Sequence, residues 1–375
     1  MLLTRSLRRF PFKIVLKCLV IKCFFIIVIL NSDKNSKENE EAKSDPPNRK
    51  NIFIETEKRK SESTDLKNVL RNRLKHLQSS CSSISSDGQS LTSVTKLQSK
   101  QLFWCKKTKI VYCPVFKSAS SAWLEHLINL SGRSQSSIID AKKKKKRDLL
   151  GQLVYLGIVK PSDAEWQDYL TLENTRNLTA FTVVRHPFER LVSAYRDKLE
   201  RKNRYYYDLF GKVIVSKFRE KAIKRLGKEF FEKSNNFGTV LKVADGSRVD
   251  AKFPSFWEFV QCVVTKMCSD EHWNPIYQHC SICHPLQLST NPYILKFEHL
   301  KDEGPEFLQM MGWDKKIQDN AKVNANTYSG MSGAEITKLY FSTFSESEIM
   351  EVYKHYEYDF ILFDYNFQIG DISLP

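Results

Sequence analysis

The chain has 375 residues, 41% of them hydrophobic and 24 of them phenylalanine, enough apolar mass for a sizeable core, so a wholly disordered chain is excluded. Lys and Arg number 59 against 43 Asp and Glu, and the formal net charge of +16 points to an anionic partner without choosing among nucleic acid, acidic lipid, nucleotide and acidic polysaccharide. Nine cysteines are too few for a disulfide scaffold and leave at least one thiol unpaired, while 13 glycines and 12 prolines exclude collagen-like and low-complexity classes.

Residues 1–30 carry Arg5, Arg8, Arg9, Lys13, Lys17 and Lys22 and no acid. From Ile14 the stretch turns apolar and ends in Cys23-Phe-Phe-Ile-Ile-Val-Ile-Leu30. It is a little short of the roughly 20 residues a spanning helix needs, and Lys17 and Lys22 lie within it. Positive charge precedes the apolar run and no small-residue cleavage signature follows. The expectation is an uncleaved signal-anchor of type II, with a cytosolic amino terminus and the remainder lumenal; a cleaved signal peptide is the alternative. Residues 31–100 are poor in aromatics and rich in Ser, Lys, Asn and Glu, which reads as a flexible stem. Within it Leu66, Val69, Leu70, Leu74 and Leu77 recur at helical spacing after Thr64-Asp65, as a solvated linker helix or as a helix that pairs two copies into a homodimer. The organisation is thus 1–30 tail and anchor, 31–100 stem, and 101–375 globular domain.

Lys109-Ile-Val-Tyr-Cys-Pro-Val-Phe116 is an apolar run of strand length. Lys117-Ser-Ala-Ser-Ser121 follows at once, and then Ala122–Ile128, with Trp123, Leu124, Leu127 and Ile128 on one helical face. A strand, a short loop and a helix in this order aim free helix N–H groups at the loop, which makes an anion site; Lys117 adds charge and the serines add donors. The spacing is not that of a Walker A loop. An ordinary turn with a serine cap and an exposed lysine has the same sequence pattern.

Leu178–Val184 forms a second apolar strand, ending in Arg185-His186-Pro187. Pro187 suits the first helical position, and Phe188, Leu191, Val192, Tyr195 and Leu199 form one apolar face with Ser193 opposite. Arg185 at the strand end and Ser193 in the helix can reach one phosphate, and the guanidinium fork matches phosphate oxygens. Two such units fit a ligand with two separated anionic groups, and together predict an α/β fold with a central, mainly parallel sheet flanked by helices.

The two units resemble the Golgi carbohydrate sulfotransferases, in the branch of the chondroitin 4-O-sulfotransferases and the HNK-1 sulfotransferase. Lys117-Ser118-Ala119-Ser120-Ser121 is similar to their 5′-phosphosulfate loop, and Val184–Tyr195 to their 3′-phosphate segment. Phe256-Trp-Glu-Phe-Val260, Asp270-Glu-His-Trp-Asn-Pro275, Cys280-x-x-Cys283, Ile294–Glu298 and Tyr358–Tyr365 continue the likeness, over roughly residues 103–367. Four positions depart: Phe116 where the family has proline, Ser120 and Ser121 where it has Cys-Thr, and His186 where it has an acid.

The resemblance implies a P-loop-like sulfotransferase fold and the donor 3′-phosphoadenylyl sulfate (PAPS), with no metal. Lys117, Ser118, Ala119, Ser120 and Ser121 would hold its 5′ end, and Arg185 and Ser193 its 3′-phosphate. Lys117 would stabilise the leaving group. His272 is the first choice of general base, with Glu271, His186 and Glu125 as others. It further implies residence as a single-pass protein of the Golgi membrane and an acidic glycan as acceptor, chondroitin at GalNAc O-4 first. A membrane-tethered glycan- or nucleotide-binding protein that has lost catalysis is the alternative that the departures suggest.

Remaining features are less decisive. Asn129-Leu-Ser131 and Asn177-Leu-Thr179 are sequons. Cys280 and Cys283 beside His272, His279 and His284 invite a zinc reading, but no second paired element completes it. A disulfide among Cys262, Cys268, Cys280 and Cys283 is the preferred expectation, with the pairing open. Lys142–Lys146 and Arg147 read as a solvated loop or as a contact for an acidic glycan. No nucleic-acid module is present, so no nucleic-acid partner is expected.

Overall fold

The structure, a computed structural model, describes residues 49–86, 101–145, 149–169, 174, 177–201, 203–226, 231–234, 238–242, 248–250, 252–279, 282–284, 288–314 and 331–367. Two compact units divide the chain, 1–59 and 60–375; the architecture below is that of the second. The anchor expected at 1–30 lies outside the described residues. Among those described, no helix is long and apolar enough to cross a membrane.

Helix α1 (Arg49–Ser86) precedes strand β1 (Phe103–Cys105), which returns as β2 (Ile110–Cys113). Helices α2 (Ser120–Asn129), α3 (Gln135–Lys144) and α4 (Leu149–Tyr155) follow, then β3 (Ile158–Val159) and α5 (Asp163–Tyr169). Strand β4 (Thr179–Val184) runs into α6 (Pro187–Tyr195), which widens into a π-helical turn at Arg196–Glu200. A second π-helical turn, Tyr207–Gly211, leads into α7 (Lys212–Leu226). Strands β5 (Phe231–Ser234), β6 (Gly238–Lys242) and β7 (Arg248–Asp250) form a separate antiparallel sheet. The chain closes with α8 (Phe256–Val264), β8 (Tyr293–Lys296), α9 (Leu300–Met310), α10 (Gly333–Phe341) and α11 (Glu346–Leu362).

The main sheet has the order β3-β1-β2-β4-β8. Strands β2, β4 and β8 run parallel, but β1 pairs antiparallel with both β2 and β3, so the sheet is mixed rather than mainly parallel. The reason is local. Only Lys106–Lys109 separate β1 from β2, and Lys109 turns the chain with φ 56°. So short a connection closes a hairpin and cannot make a parallel crossover.

Strands β2 and β4 are buried on both faces, as their unbroken apolar runs require. Tyr112, Phe181, Val183 and Leu295 pack with Trp123, Leu127 and Phe307 on one side. Val111, Cys113, Ala180, Val184 and Ile294 pack with Leu77, Cys81 and Leu362 on the other. Helices therefore cover both faces. A third cluster joins α6, α7, α8, α10 and α11 around Phe188, Phe259, Trp273 and Tyr356.

The helical spacing from Leu66 to Leu77 has a tertiary cause. Leu66, Leu70 and Leu77 are buried against the sheet layers. Arg73 forks onto Glu303 at 2.6 and 2.8 Å, and Cys81 is disulfide-bonded to Cys283. The interval expected to be a flexible stem thus holds a helix that is part of the domain from about Leu66 onward.

The preferred disulfide expectation is met at Cys262–Cys268, while Cys283 pairs outside the expected set, with Cys81. Cys280 lies outside the described residues. Cys105 is a buried free thiol that donates to the Ser131 carbonyl at 3.7 Å. With Cys283 in a disulfide its sulfur is no zinc ligand, and the described residues contain no cluster of metal-binding side chains. Lys142, Lys143 and Lys144 form the last turn of α3 rather than a loop, where they complement the helix dipole. Asn177 is exposed in the turn before β4; Asn129 ends α2, and Ser131 of its sequon is buried.

Candidate functional site

The carboxyl ends of β2 and β4 point the same way because the strands are parallel, and each feeds a helix across the same edge. There they share a cavity of about 780 Å³, within the range of small-molecule sites. Lys117, Ala119, Ser120 and Ser121 line it from the first unit, and Arg185 and Ser193 from the second.

The loop after β2 folds tightly. Lys117 and Ala119 both adopt left-handed backbone, with φ of 71° and 59°. Ala119 is the N-cap of α2 and supplies no side-chain acceptor. The first bond of the helix runs from the Trp123 N–H to the Ala119 carbonyl. The N–H groups of Ser120, Ser121 and Ala122 therefore stand uncapped at the cavity wall, a start that an anion would satisfy. Ser118 is fully buried and its hydroxyl has no hydrogen-bond partner; it does not line the cavity.

Lys117 is held by an ion pair with Asp197, whose carboxylate also meets Lys198 at 3.2 Å. Burial lowers the Lys117 pKa below its ordinary value, against the opposing pull of Asp197. Burial works against the Asp197 carboxylate too, but the hydrogen bond and charge of Lys117, aided by Lys198, hold it below its ordinary value. Asp197 and Arg196 reach the cavity from the π-helical turn, which continues the Ser193 face of α6.

Across the cavity, Arg185 donates from Nη1 to the Lys117 carbonyl at 3.1 Å and pairs with Glu189 through Nη2 at 3.1 Å. Burial raises the Glu189 pKa, with Arg185 opposing. Ser332 and Gly333 close this side. A Cβ at Gly333 would strike the Glu189 carboxylate and lie 3.1 Å from Arg185 Nη2, so a larger residue there would have to displace the Glu189 side chain.

Beneath the floor, Arg190 is almost wholly buried. Its three guanidinium nitrogens donate to the carbonyls of Phe116 at 3.0 Å, Asn274 at 2.7 Å and Glu271 at 3.0 Å. That ties the 271–274 turn to the loop. His272 sits in this turn, outside the cavity wall, with its ring 4.6 Å from that of Phe116. Its Nδ1 lies 2.5 Å from Asp270 Oδ1 and 3.1 Å from the Tyr206 hydroxyl. Burial lowers the His272 pKa, with Asp270 opposing it.

The other sequence candidates separate clearly. Glu125 lines the cavity one turn into α2. Glu271 is exposed outside it and offers its backbone carbonyl to Arg190. His186 stands among Phe188, Phe360 and Tyr365, and burial takes its pKa down to about 4. The departure at 186 is thus a neutral ring in an aromatic cage, not a charge at the cavity.

Asp197, Glu189, Arg201, Lys301, Ser332 and Gly333 line the cavity without having been read from sequence. Asp197 was within reach, four residues after Ser193 on the same helical face. Ser332 and Gly333 lie far along the chain, in a capping box that signals only a helix start.

The model of the sulfotransferase family matches residues 100–366. The chain belongs to the sulfotransferase family. Human carbohydrate sulfotransferase 8 is 26% identical over 279 residues, covering 74% of this chain and 58% of that protein. Human carbohydrate sulfotransferase 9 is 28% identical, covering 69% of this chain and 52% of that protein. Carbohydrate sulfotransferase 10 of Gallus gallus is 27% identical, covering 78% and 74%. The chain thus spans between half and two-thirds of the human relatives it matches. No solved structure matches it. The family resemblance read from Lys117–Ser121 and Val184–Tyr195 is borne out.

Proposed function

We propose that the chain transfers a sulfuryl group from PAPS to a hydroxyl of a glycan. The observation that carries the reading is the uncapped start of α2, with Lys117 beside it and Arg185 and Ser193 in the same cavity. The donor set fits a ligand with two anionic ends: backbone N–H groups and an ammonium at one, a guanidinium and a hydroxyl at the other. The names of the relatives add a carbohydrate as acceptor class.

PAPS supplies the activated sulfuryl group. The N–H groups of Ser120 and Ser121, with their hydroxyls and the Ala119 turn, bind its 5′ end; Ser118, buried under the loop, supports the turn through its N–H bond to the Val115 carbonyl. Arg185 and Ser193 bind the 3′-phosphate. Lys117 places its ammonium where negative charge develops on the leaving side, the kind of preorganised stabilisation that accounts for much of an enzyme's rate. His272 takes the proton of the acceptor hydroxyl through Nε2. Asp270 occupies Nδ1 and so fixes the tautomer, and burial, which lowers the pKa, favours the neutral ring that can accept a proton.

The acceptor in this reading is an acidic glycan, with chondroitin GalNAc O-4 first. The same reading places the domain in the Golgi lumen behind the 1–30 anchor. Transfer of labelled sulfate from PAPS to desulfated chondroitin tests it, with Lys117→Ala as control. Transfer should fall at least about 1,000-fold in a variant that still melts cooperatively. Native chain giving no calorimetric heat with adenosine 3′,5′-diphosphate would overturn it, as would unchanged turnover in Lys117→Ala.

A further inference from the structure

Outward from Lys117 runs a connected shelf of cations and rings, of which Lys117, Asp197 and Arg201 also line the donor cavity while Lys198, Tyr205 and Tyr206 lie beyond it. Asp197 links Lys117 to Lys198. The Lys198 ammonium lies 4.6 Å from the Tyr206 ring centre, and that ring meets Tyr205 at 5.3 Å. The Tyr206 hydroxyl contacts His272, so the shelf reaches the proposed base. Its outer end is open. Tyr205 is 69% exposed, although it is a large ring beside a polar site. Arg201 lines the cavity, is exposed, and has no side-chain partner among the described residues. Its charge nonetheless bears on Lys117.

The backbone explains how a single segment presents all of this. Two π-helical turns, Arg196–Glu200 and Tyr207–Gly211, bracket it, and each extra residue per turn shifts the faces that follow. Arg196, Asp197 and Arg201 thereby turn to the cavity, while Tyr205 stands open beside Tyr206.

We infer that this shelf is the acceptor subsite, and that it selects an acidic glycan: Arg201 pairs with a carboxylate or sulfate of the sugar next to the one modified, and the Tyr205 ring stacks on a pyranose face. The inference rests on the sulfotransferase reading. An unpaired guanidinium beside a catalytic lysine favours an anion, since an uncharged sugar gains nothing from it. An open tyrosine face offers apolar area and a hydroxyl at low entropic cost, which suits the mixed surface of a sugar ring. A neighbouring anion on Arg201 would set a reacting hydroxyl between His272 and Lys117.

The test is equilibrium binding of the full chain to a desulfated chondroitin oligosaccharide and to a neutral chitin oligosaccharide, with adenosine 3′,5′-diphosphate titrated separately. Native chain should prefer chondroitin. Arg201→Ala and Tyr205→Ala should each weaken chondroitin binding about tenfold; Tyr205→Ala should leave nucleotide affinity and melting temperature unchanged, and Arg201→Ala should weaken nucleotide binding less than glycan binding. The double variant Lys142→Ala/Lys143→Ala, which removes equal or greater charge on α3, should bind chondroitin as native chain does. Chondroitin binding unaltered in both shelf variants would overturn the subsite, as would equal binding of the two glycans by native chain. An Arg201→Ala variant that loses nucleotide and glycan alike would assign that arginine to the donor and also overturn it. Failure of native chain to bind the nucleotide would instead sink the sulfotransferase reading.

Discussion

Arg190 donates from Nε to the carbonyl of Phe116, 3.0 Å away, and so joins the helix that follows one strand to the loop that follows the other. The guanidinium is buried, its remaining nitrogens take the Asn274 and Glu271 carbonyls, and Lys117 is the next residue after Phe116. The position of the ammonium in the cavity therefore depends on a side chain that never touches the cavity. A lysine has the charge but one nitrogen in place of three, so it cannot hold three carbonyls in fixed directions.

Arg190→Met should cost about 3 kcal/mol or more, since it leaves buried carbonyls unpaired at three places. Arg190→Lys should recover only part of this. Urea unfolding of the three proteins measures it, and equal midpoints would show that water replaces the guanidinium without loss.

Asp197 pairs with Lys117 and offsets its charge. Asp197→Asn should free the ammonium and tighten adenosine 3′,5′-diphosphate binding by about 3- to 10-fold, on the order of 1 kcal/mol for a part-buried pair. Titration calorimetry at low and moderate salt reads this directly. Weaker binding in the variant would mean that Asp197 aligns Lys117 rather than restrains it.

His186 stays neutral in its aromatic cage, with a folded-state pKa of about 4 against an ordinary value near 6.5. His126, His279 and His355 are also depressed by burial, to about 4, 3 and 4. In each case the unfolded chain binds the proton first. Their stabilising contribution is complete above pH 6.5 and is lost as pH falls from there toward 4, by about 3 kcal/mol for His186 at full extent. Asp359, raised to about 6 by burial, works in the opposite direction over much of that window. The net expectation is acid destabilisation, and His186→Phe should flatten it. Melting temperatures between pH 7 and pH 4.5 check this; parallel curves for the two proteins would remove His186 from the account.

The Cys81–Cys283 bond closes a loop across 202 residues and fixes α1 to the domain. The double variant Cys81→Ser/Cys283→Ser should lose about 2–4 kcal/mol, as is usual for a bond closing a long loop. Protease should then cut within α1 before the rest of the domain. Cleavage elsewhere first would show that Leu66, Leu70 and the Arg73–Glu303 pair hold the helix unaided.

Much of the cavity was legible in sequence because its determinants are local. Lys117–Ser121 and Arg185–Ser193 are each one strand end, one loop and one helix start, and apolar periodicity alone places them. The pairing of β1 with β2 was equally local, yet a run of lysines at Lys106, Lys107 and Lys109 carries no glycine or Asn-Gly sign of a hairpin, so a mainly parallel sheet was the natural expectation. The helix from Leu66 to Ile84 shows its spacing in sequence but not its partner, since that partner is a sheet face that includes a strand as far along the chain as Ile294, 221 residues beyond Arg73. His186 shows the same division: the residue type says it can titrate, and only the surrounding Phe188, Phe360 and Tyr365 say that it does not at neutral pH.

By itself the amino-acid sequence determined which elements form and which phosphate-matching side chains stand at their ends, because strand and helix periods and loop chemistry act over a few residues. Only the tertiary structure decided that those ends share one cavity, that Asp197 pairs with Lys117, that Gly333 approaches Arg185, and that Arg190 supports the loop from below. Each of these is a contact between residues distant in sequence or brought round by an irregular turn, and such contacts follow from packing geometry that no short-range pattern encodes.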